Sequence, residues 1–306
     1  MKKPYIELRT RNSFGDIINT YFLWLKYNVK PYTNLYLRYN TVSIILTLIG
    51  SYLLVTGFMG LASRDFRFGM DSGGNNDMYL YGGLIVLIVI LGLTAVLNYS
   101  FSSAYVVQYV KTNGNINHKT VWHEIKKRIG SVILFIIIGF FMYLGYIIVT
   151  IILAFIPLLG MLAQYAISFT LSAFFGLAFT ALFIGSKSVG DALGEGWTFT
   201  FSNFWRVVFY GLIIGILNFM ITMLILSIPT FILGIYAYFS IESSIDIFTS
   251  VFANMVFTIG FALFILAFIY TQTLSQIANG VLYFNLHEEK YNIFLRERIE
   301  QIGANE

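Results

Sequence analysis

The sequence predicts an all-α polytopic membrane protein with six transmembrane helices paired as three hairpins, each preceded by a cytoplasmic amphipathic helix in the interface. Three observations carry this. Uncharged apolar stretches run from Thr41 to Ala62, Tyr79 to Val110, Ile129 to Ser186 and Val207 to Leu286, the last broken only by Glu242 and Asp246. A hydrocarbon core about 30 Å thick takes roughly 20 helical residues per crossing, so the two longer stretches hold two crossings each. Charged residues make up 11% of the 306, against roughly 25% in soluble domains, which leaves no room for a separate soluble domain.

The third observation is where the basic residues fall. Lys2, Lys3, Arg9, Arg11, Lys26, Lys30 and Arg38 precede the first crossing, and Lys111, Lys119, Lys126, Lys127 and Arg128 fill the second connection. Lys187 and Arg206 lie in the fourth connection, and Lys290, Arg296 and Arg298 follow the last crossing. Only Arg64 and Arg67 fall on the other side, beside Asp65, Asp71 and Asp77. The positive-inside bias then places both termini in the cytoplasm, as an even number of crossings requires. The opening forty residues lack the short apolar core and small-residue cleavage site of a signal peptide, so the first crossing is expected to be a retained anchor. A net charge of +4 distributed in this way points to a membrane surface and not to nucleic acid.

The elements follow in order as one membrane domain over 1–306, with internal units 13–110, 118–186 and 188–286 and a cytoplasmic tail 287–306. Ser13-Phe14-Gly15-Asp16 and Ser188-Val189-Gly190-Asp191 align as helix starts, with Asn28 and Asn203 at the same offset. In each, the Ser side chain accepts from the third backbone N–H while Asp answers the Ser amide and favours the positive helix end. All four tryptophans, Trp24, Trp122, Trp197 and Trp205, lie in the segments that introduce the hairpins. Indole suits the headgroup boundary, so they are expected to be interfacial anchors. Val121, Trp122, Ile125 and Ile129 share a helical face in the middle segment, with Lys126, Lys127 and Arg128 largely around the other. Between the crossings, residues 64–78, rich in Gly, Asn and Asp, read as an outer loop. Pro157-Leu158-Leu159-Gly160 reads as a tight turn whose Gly permits the reversal, and Pro229 is expected to end the fifth crossing.

The second helix of each hairpin carries a polar stripe at four-residue spacing: Thr94, Asn98 and Ser102; Gln164, Ser168, Ser172, Gly176 and Thr180; Gln272, Gln276 and Gly280. Small residues let helices approach and amides bond across the contact, so the stripes are expected to form a helix seam. The other reading is a polar cavity lined by Asn98, Gln164, Gln272 and Gln276.

Chemistry-bearing motifs are sparse. The six crossings contain no Asp, Glu, Lys, Arg or His, the usual carriers of proton coupling and voltage sensing. Cysteine is absent. His118 and His123 stand five apart beside Glu124, the wrong spacing for His-Glu-x-x-His, and His287 before Glu288 and Glu289 reads as a solvated helix exit. No catalytic residue, metal site or cofactor is expected.

The Gly-Asp starts (Gly15-Asp16, Gly190-Asp191), the aromatic helix through Asn203-Phe204-Trp205-Arg206 and the following apolar hairpin resemble a group of bacterial polytopic membrane proteins. That group includes the membrane domain of glycerophosphoryl diester phosphodiesterases, and the Asn-, Ile- and Tyr-rich opening Phe14 to Tyr32 is similar to its Bacteroidota versions. The resemblance implies the fold and bacterial inner-membrane residence, and supplies no catalytic residue. The expected role is non-enzymatic: organising a partner protein or anionic lipids at the cytoplasmic leaflet. Lys26, Lys30, Lys126, Lys127, Arg128 and Arg206 are the headgroup candidates. The alternative is a facilitator or flippase for a neutral or amphipathic solute.

Overall fold

A computed structural model describes residues 4–63, 75–243 and 246–303. Nine α-helices occur among them: α1 (Phe14–Ala62), α2 (Asn76–Lys111), α3 (His118–Lys127), α4 (Ile129–Ala154), α5 (Leu159–Leu182), α6 (Val189–Ser202), α7 (Phe204–Glu242), α8 (Val251–Tyr291) and α9 (Ile293–Gly303). Six stretches are long and apolar enough to cross a membrane, and no strand occurs among the described residues, so the protein is all-α and multi-pass. The outer-loop reading of Arg64, Arg67, Asp65 and Asp71 lies outside the described residues, and Asp77 sits in the first turn of α2.

The helices are longer than crossing requires. At 1.5 Å per residue, the 49 residues of α1 extend about 74 Å, more than twice a bilayer core. The first introductory segment is therefore not a separate interfacial helix: α1 starts at Phe14 and continues unbroken past Pro31 into the crossing. The third segment is separate. Ser188 and Asp191 form the reciprocal capping box, and the helix stops at Asn203, whose φ of −127° and ψ of 36° leave the helical region. Asn28, at the matching offset, is buried inside α1.

Two turns differ from expectation. The positive φ of the 157–160 reversal falls on Leu158 (54°), where Leu159 N donates to Pro157 O across a three-residue turn that L-residues rarely adopt. Gly160 serves close approach instead, because a Cβ there would lie 2.0 Å from Leu153 O. Pro229 does not end the fifth crossing, since α7 runs through it to Glu242. Proline removes one N–H from the ladder, and neighbouring helices and Ser or Thr side chains accommodate this in membranes. Here the Pro229 ring lies close to Gly260 of the neighbouring helix, where a Cβ would be 3.2 Å away. Asp246 caps the following short turn by accepting from Phe248 N.

Chain contacts divide the protein into two compact units, which do not follow the three hairpins. The first comprises residues 1–35, 96–216 and 273–306. Its axis is the second half of α8, where Gln276, Ile277, Ala278, Leu282 and Tyr283 are all fully buried. Five helices dock on it. Tyr21 of α1 donates to Leu274 O and Tyr210 of α7 to Ala278 O. Gln276 bonds to α2 and α5, and Phe199 of α6 packs edge-on against Tyr283. The N-terminal segment is tied down by Asn285, which donates to Thr10 O, and by Ile6 N, which donates to Tyr109 Oη.

The second unit, residues 36–95 and 217–272, is largely apolar. Glycines set its tightest contact: a Cβ on Gly57 would come within 2.4 Å of Leu80 N, and one on Gly83 within 2.4 Å of Leu54 N. Val55, Met59 and Ala253 form one small cluster, and Leu87, Ile265 and Ile269 another. Thr56 and Asn254 pair across α1 and α8.

Candidate functional site

The first unit holds three groups of polar residues, and their geometry separates structural roles from exposed chemistry. The polar stripe is the most internal. Gln276 Nε2 lies 2.8 Å from Ser103 Oγ, 3.0 Å from Gly176 O and 3.2 Å from Thr180 Oγ1, so one amide joins α8, α2 and α5. Gly176 makes room for the neighbouring Asn279, whose Nδ2 would be 2.0 Å from a Cβ there. These residues form a buried helix–helix contact.

The rest of the α5 stripe does not join it. Ser168 and Ser172 are exposed, and Gln164 is half-buried with its amide donating to Thr150 O. The reason is position along the helix: almost every residue from Ala173 to Phe183 is buried whichever face it occupies, whereas Ser168 and Ser172 lie before that stretch. Asn98 is buried on α2, and Gln272 is half-buried and belongs to the second unit.

The basic surface is built on α3. Asn117 caps its start by accepting from Lys119 N, and Val121 and Ile125 are buried, so the helix docks on the protein through these two side chains. Trp122, His123, Lys126 and Lys127 face outward, with the Lys126 ammonium 5.5 Å from the Trp122 ring. Lys26 and Lys30 are exposed on α1. Among the described residues the ion pairs are Glu7–Arg9, Lys187–Glu195 and Arg206–Glu289, and none of these four lysines takes part.

Three expected site residues are engaged within the protein. Trp24 is fully buried, edge-on to Tyr32, Tyr105 and Tyr109, and so cannot anchor at headgroups. The continuity of α1 turns this residue into the core. Arg128 donates from Nη1 to Leu182 O, satisfying a carbonyl at the end of α5. Arg206 is spent on Glu289. Trp197 and Trp205 are exposed, Trp197 against Phe201 and Trp205 stacked on Phe209.

The third group was not legible from spacing. Lys187, Asp191, Glu195 and Thr198 from the α6 region face His287, Lys290 and Tyr291 of α8 across a cleft of about 440 Å³. Lys187 pairs with Glu195, and Tyr283 Oη donates to the same carboxylate at 3.0 Å. Hydrogen bonds from the Ser188 hydroxyl and backbone hold the Asp191 carboxyl below its ordinary range. A smaller cavity of about 190 Å³ lies between Arg9, Lys111, Phe284, His287 and Phe294. His287 stacks on Tyr283, and Glu288 is 4% exposed, so this end of α8 is packed and not a solvated exit. The only sequence signal was the run His287-Glu288-Glu289-Lys290, which gives no hint of its partners on α6, α7 and α9.

No protein-family model, no curated protein and no solved structure matches this chain.

Proposed function

We propose that this is a non-catalytic protein of a bacterial inner membrane, both termini cytoplasmic, whose basic face organises anionic lipid headgroups. The outward set Lys126, Lys127 and Trp122 on a helix docked through Val121 and Ile125 carries the reading. Each lysine near an anionic leaflet contributes about 1 kcal/mol, and Lys26 and Lys30 add to the field. With Arg128 bonded to Leu182 O and Arg206 paired with Glu289, the headgroup set reduces to these four lysines. A membrane protein that itself bears an acidic face fits the same surface, and competition with lipid distinguishes the two. The facilitator reading is less well supported in the first unit, because the N–H groups of Gln276 are spent on neighbouring helices.

The test is thermal stability of the detergent-solubilised protein titrated with phosphatidylglycerol and, in parallel, phosphatidylcholine. Wild type is expected to gain stability with the anionic lipid alone, and K126Q/K127Q to lose most of that gain while keeping its lipid-free midpoint. Equal responses of wild type and variant would overturn the role given to these lysines.

A further inference from the structure

We infer that α9 is a second membrane contact, lying on the anionic headgroup surface through an apolar stripe. This rests on the reading that the lysine-bearing face of the protein meets anionic lipids. Leu295, Ile299 and Ile302 recur at steps of four and three, which puts them on one face of the helix. They are 54%, 60% and 67% exposed, so none of the described residues covers them. Arg296 and Arg298 flank the stripe, one on each side, and Glu297 and Glu300 lie toward the opposite face.

The other side of α9 is firmly held. Phe294 takes the Arg9 guanidinium 4.2 Å above its ring, and the amides of Phe294 and Leu295 both donate to the buried Glu288 carboxylate at 3.0 Å. That carboxylate satisfies two of the orphan N–H groups at the helix start and complements its dipole. The linking residue Asn292 sits at φ 51°, which turns the chain sharply out of α8. A helix fixed by its first turn thus presents a bare apolar stripe between two cations.

The occupant follows from charge. Arginines on both flanks would oppose one another across a contact between two copies of α9. An anionic surface instead attracts both flanks while the apolar stripe enters the headgroup boundary. The six crossings guarantee that a bilayer adjoins the protein.

The chain contains no cysteine, so a single nitroxide reports one position without background. The I299C and E300C variants are labelled in the full-length protein and reconstituted in vesicles with or without phosphatidylglycerol. In anionic vesicles, the label at 299 is expected to gain oxygen accessibility and lose accessibility to an aqueous nickel chelate, while that at 300 stays aqueous. Adding R296Q/R298Q should reverse the shift at 299. Aqueous behaviour of both labels in anionic vesicles overturns the inference, and so does protection at 299 accompanied by spin–spin broadening between copies. A shift at 299 that persists in K126Q/K127Q, with wild-type thermal response in that variant, would remove the lysine role and leave α9 standing. An aqueous 299 beside a lost thermal response would do the reverse.

Discussion

Replacing Gln276 with Leu tests the polar seam at its centre. The amide has two N–H groups facing three oxygens at 2.8, 3.0 and 3.2 Å, on two other helices. Interhelical hydrogen bonds in membranes average about 0.6 kcal/mol and reach about 1.7. Two bonds therefore amount to about 1.2 kcal/mol, with an upper bound near 3.4. Leu has nearly the volume of Gln, so little cavity term is added. The carbonyl Oε1 is buried without a partner, and removing it returns part of the loss. The net expectation is destabilisation of about 1 kcal/mol, roughly a fivefold change in the folded-to-unfolded ratio. Reversible unfolding in mixed micelles by increasing dodecyl sulfate measures it. Ser168→Leu is the control: it belongs to the same sequence pattern but is exposed, and should shift stability by no more than about 0.5 kcal/mol. Equal midpoints for the two variants, or no loss in Q276L, would refute the reasoning.

Other outcomes follow from single features. With brominated lipids, fluorescence from a Trp24-only variant should resist quenching, whereas Trp205-only should be quenched, because their exposures are 0% and 66%; equal quenching would contradict the buried aromatic cluster. Leu158→Gly should be neutral or stabilising by up to about 1 kcal/mol, since it relieves a positive φ at an exposed residue while adding entropy to the unfolded chain; a clear loss in the micelle assay would show that Leu158 packs. Gly196→Ala should destabilise by about 1–3 kcal/mol, because its Cβ would meet Ala178 Cβ at 2.6 Å and Ala178 N at 2.9 Å, and backbone cannot swing away; A178G should rescue it only in part. Burial raises the Glu7 carboxyl, but hydrogen bonds from Arg9 outweigh this and leave it below its ordinary 4.5. The contribution of this pair is therefore present above that ordinary value and lost as pH falls through the lowered one. Protease cleavage within residues 4–13 should accelerate on acidification, and Glu7→Gln should cleave fast at every pH tested.

The six crossings were legible because hydrocarbon thickness imposes a length and a composition that no other environment does. Capping boxes were legible for a similar reason: Ser188 and Asp191 act within one turn, so sequence distance equals spatial distance. What the sequence concealed was long-range. Trp24 reads as an interfacial indole until it is known that α1 never breaks, and nothing local distinguishes Asn28, inside a helix, from Asn203, which ends one. Arg128 and Arg206 look like free cations because their acceptors, Leu182 O and Glu289, lie 54 and 83 residues away. Pro229 shows the opposite error, where a strong local signal is overruled by packing against the helix beside it. The stripe on α5 reaches the packed core only in its last members, because burial there follows position along the helix and not the face that spacing selects.

The position of the hub in the chain bears on biogenesis. The buried half of α8 supplies the surface on which α1, α2, α5, α6 and α7 dock, and it is the last crossing to be synthesised. Helices made first must wait in the bilayer with Ser103, Gly176 and Tyr210 lacking their partners on α8. The first unit therefore cannot close until residues 273–291 are made, and meanwhile the surfaces that face α8 are open to chaperones and proteases. A translation stall before residue 273 would leave these five helices without an axis, a state that membrane quality control can recognise by its uncovered amides and glycines.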